Sequence, residues 1–364
     1  MHMKNRIFEK RIKQVRQILA EKNFDAAILA VGANISYLSG FTGEDSWLVV
    51  TGRGLCLITD SRYTLQAKKQ CPNCKIYERK VSMVQATAFV LNKLAKIKTV
   101  CVEDRMDVRL FNNLKKKLIH PLKPISNLVE SLRQIKERTE IAAISKAAKI
   151  AQTALAKTLH QIRFGITEQQ LAGILEFELK KFGAAASFET IVAFGSNSAM
   201  PHYRPANRRL KKVDTILIDF GAKLNGYCCD LTRCFAVGRV NELYRKVYRT
   251  VFAAQAAAIK AVKSGQSPKA IDDAAKKIIK SAKLPVFGHG TGHGLGLDVH
   301  ELPAVSAVSK DLLQTGNVIT MEPAVYLPNK FGIRIEDDML ITEKGCRVLT
   351  SSLKNDDVPL LKVK

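Results

Sequence analysis

The chain has 364 residues, 46% of them hydrophobic and 25% charged, with 58 Lys and Arg against 33 Asp and Glu for a formal net charge of +25. That length suggests two domains, each with enough chain to bury a core, and no stretch approaches the roughly 20 apolar residues of a membrane span. The basic runs Lys115-Lys116-Lys117 and Arg208-Arg209-Leu210-Lys211-Lys212 are short, far apart and free of interleaved aromatics. They argue for a lysine-rich surface with weak, salt-sensitive attraction to polyanions, and against a specific nucleic-acid site.

The N-terminus is polar and basic and has no apolar signal core behind it, so a cytoplasmic protein without membrane contact is expected. An amphipathic helix is predicted over residues 5–22 and an apolar strand over 25–31. A hairpin follows through Trp47-Leu48-Val49-Val50, turning at Gly52-Arg53-Gly54 and returning from Leu55. Cys71-Pro72-Asn73-Cys74 is a lone C-x-x-C expected on a solvent-side loop, and the eight cysteines fit a reducing compartment better than a disulfide scaffold. Another buried strand is predicted near residues 99–102, with helices before it (84–96) and after it. This alternation argues for a small α/β domain over residues 1–132.

The charged segment 128–140 starts a long, alanine-rich helical pattern; the boundary is placed within it, near residue 133, and residues 133–364 read as a second, α+β domain. Helices are predicted at 141–162 and 167–182, then strands and turns, then helices at 241–263 and 268–283, then strands again. A helix pair followed by strands, occurring twice, suggests a pseudo-symmetric domain with the site between its halves.

Three turn-rich segments of this second domain carry five candidate metal ligands: Asp219 and Asp230, His293, and Glu322 and Glu336. Four carboxylates brought together without a cation would repel one another, whereas divalent ions between them would make a hydrolytic centre. Asp219 and Asp230 lie almost equally far from the middle of the turn Lys223-Leu224-Asn225-Gly226, and Asn-Gly is a strong hairpin signal. Placed opposite each other, their Cβ atoms would be about 5 Å apart. The plainer alternative makes Asp219 a strand-end cap and Asp230 a surface residue.

His289, His293 and His300 occur in a glycine-rich segment expected to approach another group closely or to adopt unusual backbone conformations. Glu322 should end an apolar strand, and strand alternation puts Arg334 and Glu336 on one face. An Arg-Glu ion pair alone would be structural. The full donor set favours hard to borderline ions, manganese first and cobalt, zinc or iron as alternatives, and disfavours a cysteine zinc site.

These motifs resemble the pita-bread metallopeptidases, the family of aminopeptidase P, proline dipeptidase, methionine aminopeptidase and creatinase. The likeness spans nearly the whole chain: Tyr37-Leu38-Ser39-Gly40-Phe41-Thr42-Gly43 and Thr59-Asp60-Ser61-Arg62-Tyr63 resemble the creatinase-like N-terminal domain of the proline-specific members. The resemblance implies a pita-bread catalytic domain in which Asp219 binds one metal, Asp230 and Glu336 bridge two, and His293 and Glu322 hold the other. It further implies that Glu322 takes a proton from the attacking water, that His202 and His300 contact substrate and move protons, and that Arg334 positions substrate or the bridging glutamate. His289 would support the ligands from behind.

Two positions depart from the family pattern. Ala324 replaces the glycine of Glu-Pro-Gly, and Cys234 replaces the last threonine of Thr-Arg-Thr; Cys234 and Cys228 are expected as small buried groups on the Asp230 face. The expected activity is a metallo-exopeptidase that removes the residue before proline, an Xaa-Pro aminopeptidase, with Xaa-Pro dipeptidase as the alternative and a non-catalytic binding module behind both. Family members are often homodimers, so a homodimer is implied as well.

Overall fold

Backbone pairing and core packing part the chain into two units, Met1–Arg133 and Gln134–Lys364. The structure, a computed structural model, describes residues 2–363; Met1 and Lys364, the outer limits of the two expected domains, lie outside the described residues.

The first unit runs α1 (His2–Glu21), β1 (Ala26–Leu29), α2 (Gly32–Ser39), β2 (Trp47–Thr51), β3 (Leu55–Thr59), α3 (Thr64–Gln70), β4 (Lys75–Glu78), α4 (Met83–Asn92), β5 (Val100–Glu103), α5 (Val108–Lys117), β6 (Leu122–Ile125) and α6 (Glu130–Arg133). Its strands form one mixed sheet in the order β4-β3-β2-β1-β5-β6. β1 is the centre: antiparallel to β2, parallel to β5, and buried at every position, which is why its sequence is unbroken apolar. The expected hairpin is β2–β3, with Val50 opposite Leu55.

Sequence periodicity missed α2, α3, β4 and β6. The two helices have 8 and 7 residues, too few for a 3.6-residue repeat to register. β4 and β6 are the sheet edges, half-exposed, and β6 contains Pro124, which an edge tolerates because it lacks only an outward donor.

The C-x-x-C segment is a turn with Pro72 and Asn73 exposed, as expected of a solvent-side loop, but its first cysteine points inward. Cys71 is 2% exposed, because its amide closes α3 on Ala67 O (2.9 Å) and the chain then folds back, Cys74 N–H donating to Cys71 O at 3.0 Å. That turn drives Cys71 inward, towards Leu38, Ser39 and Leu55. The Cys74 thiol hydrogen-bonds to Cys71 and, with Ser39, holds the Cys71 thiol below its ordinary range. All eight cysteines are free.

The second unit begins with the helix pair α7 (Arg138–Leu159) and α8 (Glu168–Lys181), followed by β7 (Ala185–Ala186), β8 (Ile191–Phe194), a short 3-10 turn (Gly195–Ala199), β9 (Asp214–Phe220), β10 (Ala222–Leu224), β11 (Tyr227–Cys228) and β12 (Leu231–Val237). A second pair, α9 (Glu242–Ala261) and α10 (Pro268–Ser281), leads into β13 (Gly292–Gly294), β14 (Glu301–Val305), β15 (Val318–Met321), β16 (Ala324–Leu327), β17 (Phe331–Arg334), β18 (Asp337–Thr342), β19 (Gly345–Val348) and β20 (Leu360–Leu361). Helix starts follow local chemistry. Thr167 and Gln170 form a reciprocal capping box on α8, Asn241 caps α9 by accepting from Tyr244 N at 2.7 Å, and Pro268 opens α10 where its missing N–H costs nothing.

Each helix pair covers its own strands. One core joins α7 and α8 to β8, β9 and β12 through Leu155, Leu171, Phe194, Ile218 and Phe235; the other joins α9 and α10 to the later strands through Val251, Ile271, Ile319, Ile333 and Met339. No helix among the described residues is long and apolar enough to cross a membrane.

The seam between the two sets of strands is where the fold is most polar. Arg233 on β12 is 1% exposed and spends its guanidinium on Ser352 O (2.7 Å), Thr232 O (2.9 Å), Glu336 O (2.6 Å), Thr350 O and the Asp337 carboxylate (2.8 Å). Lys354 meets the same carboxylate from the other side. Removing Arg233 takes one of its two cations from the buried Asp337 and the guanidinium donors from the carbonyls of Glu336, Thr350 and Ser352. Arg233→Met is therefore expected to lower unfolding free energy by about 3–5 kcal/mol, read by chemical denaturation; a loss under about 1 kcal/mol would show that this seam is not held by its charges.

Candidate metal centre

The five predicted ligands all lie at strand ends or in interruptions of ladders, where side chains rather than backbone groups face inward. Asp219 is near the end of β9, Asp230 just before β12, His293 in β13, Glu322 directly after β15, and Glu336 between β17 and β18. One donor atom from each of Asp230, His293 and Glu336 lies within 4.8 Å of the others. Glu322 Oε1 is 3.5 Å from His293 Nε2, and Asp230 Oδ2 is 3.8 Å from the same nitrogen. Asp219 stands outside the three-residue cluster, its Oδ2 held by Arg334.

The register of the aspartate hairpin differs from the expectation. Leu224 pairs with Tyr227, so the tip is the two residues Asn225 (φ 50°) and Gly226 (φ 88°), a turn whose left-handed backbone these residues adopt readily. The turn is centred one residue later than the sequence suggested. Asp219 consequently faces Thr232, and Asp230 is its diagonal neighbour on the same face, a spacing of about 7–8 Å between backbones and not the closest opposition. Thr232 fills the intervening place: its Oγ1 donates to Glu336 Oε2 at 2.6 Å and accepts from Arg334 Nε at 3.1 Å.

The glutamates arise from a gap in a ladder. Met321 pairs with Asp337 and Ala324 with Arg334, so the unpaired residues between them place Glu322 across from Glu336. Their amides turn outward to other strands, Glu322 N–H to Thr291 O (2.8 Å) and Glu336 N–H to Thr232 O (3.2 Å). Ala324 sits in β16, fully buried, and is not among the residues with left-handed backbone, so the methyl that replaces the family's glycine hydrogen is accommodated by ordinary strand geometry. Cys228 and Cys234 are buried as expected, and burial pushes their thiols up to about 12 and about 11.

His293 is flanked by Gly292 and Gly294 because β13 is squeezed between β14 and β15. A Cβ at Gly292 would lie 2.1 Å from Thr320 O, and one at Gly294 would lie 2.3 Å from Leu302 O. Close approach, not unusual backbone angles, is what these glycines provide. The ring Nδ1–H donates to Gly294 O (3.1 Å), leaving the Nε2 lone pair turned toward Asp230 and Glu322. Burial lowers the His293 pKa to about 4, with nearby His300 adding to the shift, so the imidazole is neutral and ready to ligate.

The carboxylates are driven the other way. Burial first, then mutual repulsion, raises Asp230 and Glu336 well above the ordinary carboxylate range, and burial pushes Glu322 up to about 7. Asp337, the next residue along, has both Arg233 and Lys354 for partners, yet among the described residues no Lys or Arg ion pair reaches Asp230 or Glu336. Asp219 Oδ1 and Asp230 Oδ1 are buried without a hydrogen-bond donor. Buried, unpaired oxygens gathered around a neutral imidazole fit a divalent cation.

The remaining predicted residues form the rim. His300 is exposed and sets its ring edge-on to His293, with centroids 4.2 Å apart. His202 is exposed in the turn after the 3-10 segment; burial lowers the His289 and His300 pKa values, and nearby His202 adds to both shifts. Arg334 donates to Asp219, to Pro201 O (3.3 Å) and to the Tyr326 hydroxyl (2.6 Å). His289 is 3.9 Å from Glu322 and 3.3 Å from the Tyr326 hydroxyl.

Sequence reasoning missed Thr232, Tyr326 and three buried acids. Glu168 holds the His202 loop by accepting from Phe194 N, Asn197, Tyr203 and Ala206 N; Asp272 anchors the histidine loop through the amide and hydroxyl of Thr291; Asp338 accepts the Asp230 amide at 3.0 Å. Strand alternation could have found Thr232 and Tyr326. Nothing in the sequence marks the acids.

The raised carboxyl pKa values have a consequence for stability. An acid whose native pKa exceeds its unfolded one binds its proton more tightly when folded, so its contribution is intact below the unfolded pKa and is lost as pH rises toward the native value. For Glu322 that window runs from 4.5 to about 7, and Asp230 and Glu336 act in the same sense. The metal-free protein is expected to lose Tm as pH rises through this window, and added divalent cation should abolish the loss, read by calorimetry. A pH-independent Tm that cations leave unchanged would contradict a carboxylate metal centre.

The profile of Metallopeptidase family M24 matches residues 142–343, and that of the Creatinase/Prolidase N-terminal domain matches residues 11–135. The Xaa-Pro dipeptidase of Pyrococcus furiosus is 33% identical over 349 residues, covering 94% of this chain and 98% of the relative. Two solved structures superpose over nearly the full length. The Xaa-Pro dipeptidase from Bacillus anthracis has a TM-score of 0.92 at 33% identity, covering 97% of this chain and 100% of that one; the X-Pro aminopeptidase from Thermotoga maritima has 0.89 at 35%, covering 96% and 99%. With a creatinase-like N-terminal domain and a pita-bread catalytic domain, this chain belongs to metallopeptidase family M24.

Proposed function

We propose that the protein is an Xaa-Pro dipeptidase that cleaves the bond before the proline of a dipeptide, using two divalent ions held by Asp219, Asp230, His293, Glu322 and Glu336. The observation that carries this reading is the convergence of Asp230, His293 and Glu336 within 4.8 Å, with Glu322 beside the histidine and buried oxygens lacking donors. Divalent ions held by these residues would supply Lewis acidity for the scissile carbonyl and for an attacking water. The carboxylate-rich donor set favours manganese, with cobalt, zinc or iron as alternatives.

The chain's own groups do the rest. Glu322, beside His293 at the edge of the cluster, is placed to accept a proton and return it to the leaving nitrogen. A proline imide has no N–H to offer, so recognition must rely on ring shape and on donors aimed at the carbonyl. His202 and His300, exposed at the rim, are placed to donate to that carbonyl and to relay protons. Arg334 acts through other residues: it holds Asp219, steadies Glu336 by way of Thr232, and fixes the Tyr326 hydroxyl.

Motifs of the first domain lean toward aminopeptidase P; relatives named Xaa-Pro dipeptidase, matched in both sequence and structure over nearly the whole chain, support the dipeptidase reading instead. The similarity to the Thermotoga maritima X-Pro aminopeptidase keeps the aminopeptidase as the second reading.

Paired substrates separate the two. With Mn2+, Xaa-Pro dipeptides are expected to show kcat/KM at least about tenfold above Xaa-Pro-Yaa tripeptides, and chelation should abolish both activities. The reverse preference would identify an aminopeptidase. His293→Ala and Glu336→Ala are each expected to cost more than about a hundredfold in kcat/KM with the fold intact by circular dichroism, since loss of mere supporting residues around metals already costs about 10–100-fold. Near-normal turnover in either variant would remove these residues from the centre.

A further inference from the structure

Behind the two glutamates, α9 contributes a side chain that the metal chemistry does not use. Gln255 is 1% exposed, and its Nε2 donates to Met321 O at 3.0 Å and to Ile335 O at 3.1 Å. Met321 and Ile335 are the residues immediately before Glu322 and Glu336. Their carbonyls border the gap in the ladder, where β15 and β18 stop pairing and β16 and β17 have yet to begin. One amide group therefore ties together the two peptide units that launch the two carboxylates.

The orientation of that amide is fixed from outside. Gln255 Oε1 accepts from Lys354 Nζ at 2.5 Å, and because an ammonium only donates, the amide cannot flip without losing all three bonds. Lys354 also pairs with Asp337, the residue after Glu336, and its side chain is 12% exposed. Glu336 is thus gripped on both sides, by Gln255 at residue 335 and by Lys354 with Arg233 at residue 337. Lys354 lies beyond residue 343, where the family profile ends.

We infer that Gln255, oriented by Lys354, is a positioning residue that sets the separation of Glu322 and Glu336 and thereby the affinity of the site for divalent cations. The inference rests on the metal-centre reading given above. A helix side chain that only filled space would leave the two carbonyls to drift, and ligand spacing would relax with them. Gln255→Met keeps the volume but removes both donors and the acceptor. Gln255→Glu keeps the partner of Lys354 and removes the two donors. Lys354→Met keeps the amide but frees it to turn.

The test is calorimetric titration of Mn2+ into chelator-treated full-length protein, beside steady-state kinetics on an Xaa-Pro dipeptide and the Tm of the metal-free form. Both Gln255 variants are expected to bind Mn2+ about 10–100-fold more weakly and to lose kcat with KM little changed, Lys354→Met following in the same direction with a smaller loss. A merely structural glutamine would lower the metal-free Tm and leave cation affinity alone. Wild-type affinity in folded Gln255→Glu or Lys354→Met overturns the inference while the metal centre stands. Absence of cation binding by the wild-type chain overturns the metal centre and this inference together.

Discussion

Repulsion among buried carboxylates is the constraint around which the second unit is arranged. Among the described residues no lysine or arginine ion pair neutralises Asp230 or Glu336, which are 5% and 2% exposed, and Glu322 stands across the ladder gap from Glu336. Elsewhere in the same seam the fold answers a buried acid with generous compensation, as Asp337 demonstrates with its arginine and lysine. Cations withheld from two acids, and granted to the residue between them and the chain end, mark a place reserved for an external charge. The supporting hydrogen bonds obey the same division: Thr232, the Asp230 amide bond to Asp338 and the guanidinium of Arg233 fix positions without cancelling the ligands' charge.

Such an arrangement needs more than one sheet. A single regular ladder offers its side chains in alternation and keeps its amides occupied, so it cannot aim several carboxylates at one point. Here the candidate ligands come from a hairpin, from a short strand compressed between neighbours, and from both lips of an interrupted pairing. Their amides are satisfied across strands, as with Glu322 on Thr291 and Glu336 on Thr232, which frees the side chains to converge. Ala324 and Cys234, the two departures from the family pattern, are both buried, Cys234 with its thiol donating to Arg334 O at 3.4 Å and Ala324 in regular strand geometry.

Long periodic helices and motif-bearing turns are legible in the sequence: the four helices of the second unit, the β2–β3 hairpin and the turn-rich segments that carry the five candidate ligands all come from patterns that local chemistry imposes. What stayed hidden depends on partners distant in the chain. The Asn225-Gly226 tip was recognised, but its centre was misjudged by one residue, because both alignments keep a plausible turn and only cross-strand packing separates them. Cys71 was expected at the surface since nothing local says that the turn folds inward. Gln255, Glu168, Asp272 and Asp338 look like ordinary polar positions; their burial is decided by partners 19 to 108 residues away.

The hairpin tip works as a molecular ruler. Because side chains alternate with a period of two, one residue inserted beside Asn225 would rotate either Asp219 or Asp230 to the opposite surface of the sheet, while two would restore the alternation and only shift the offset. A loop that touches none of the chemistry is therefore length-restricted by parity. Grafted tags or lengthened loops should be compatible with hydrolysis elsewhere on this surface more readily than at this bend.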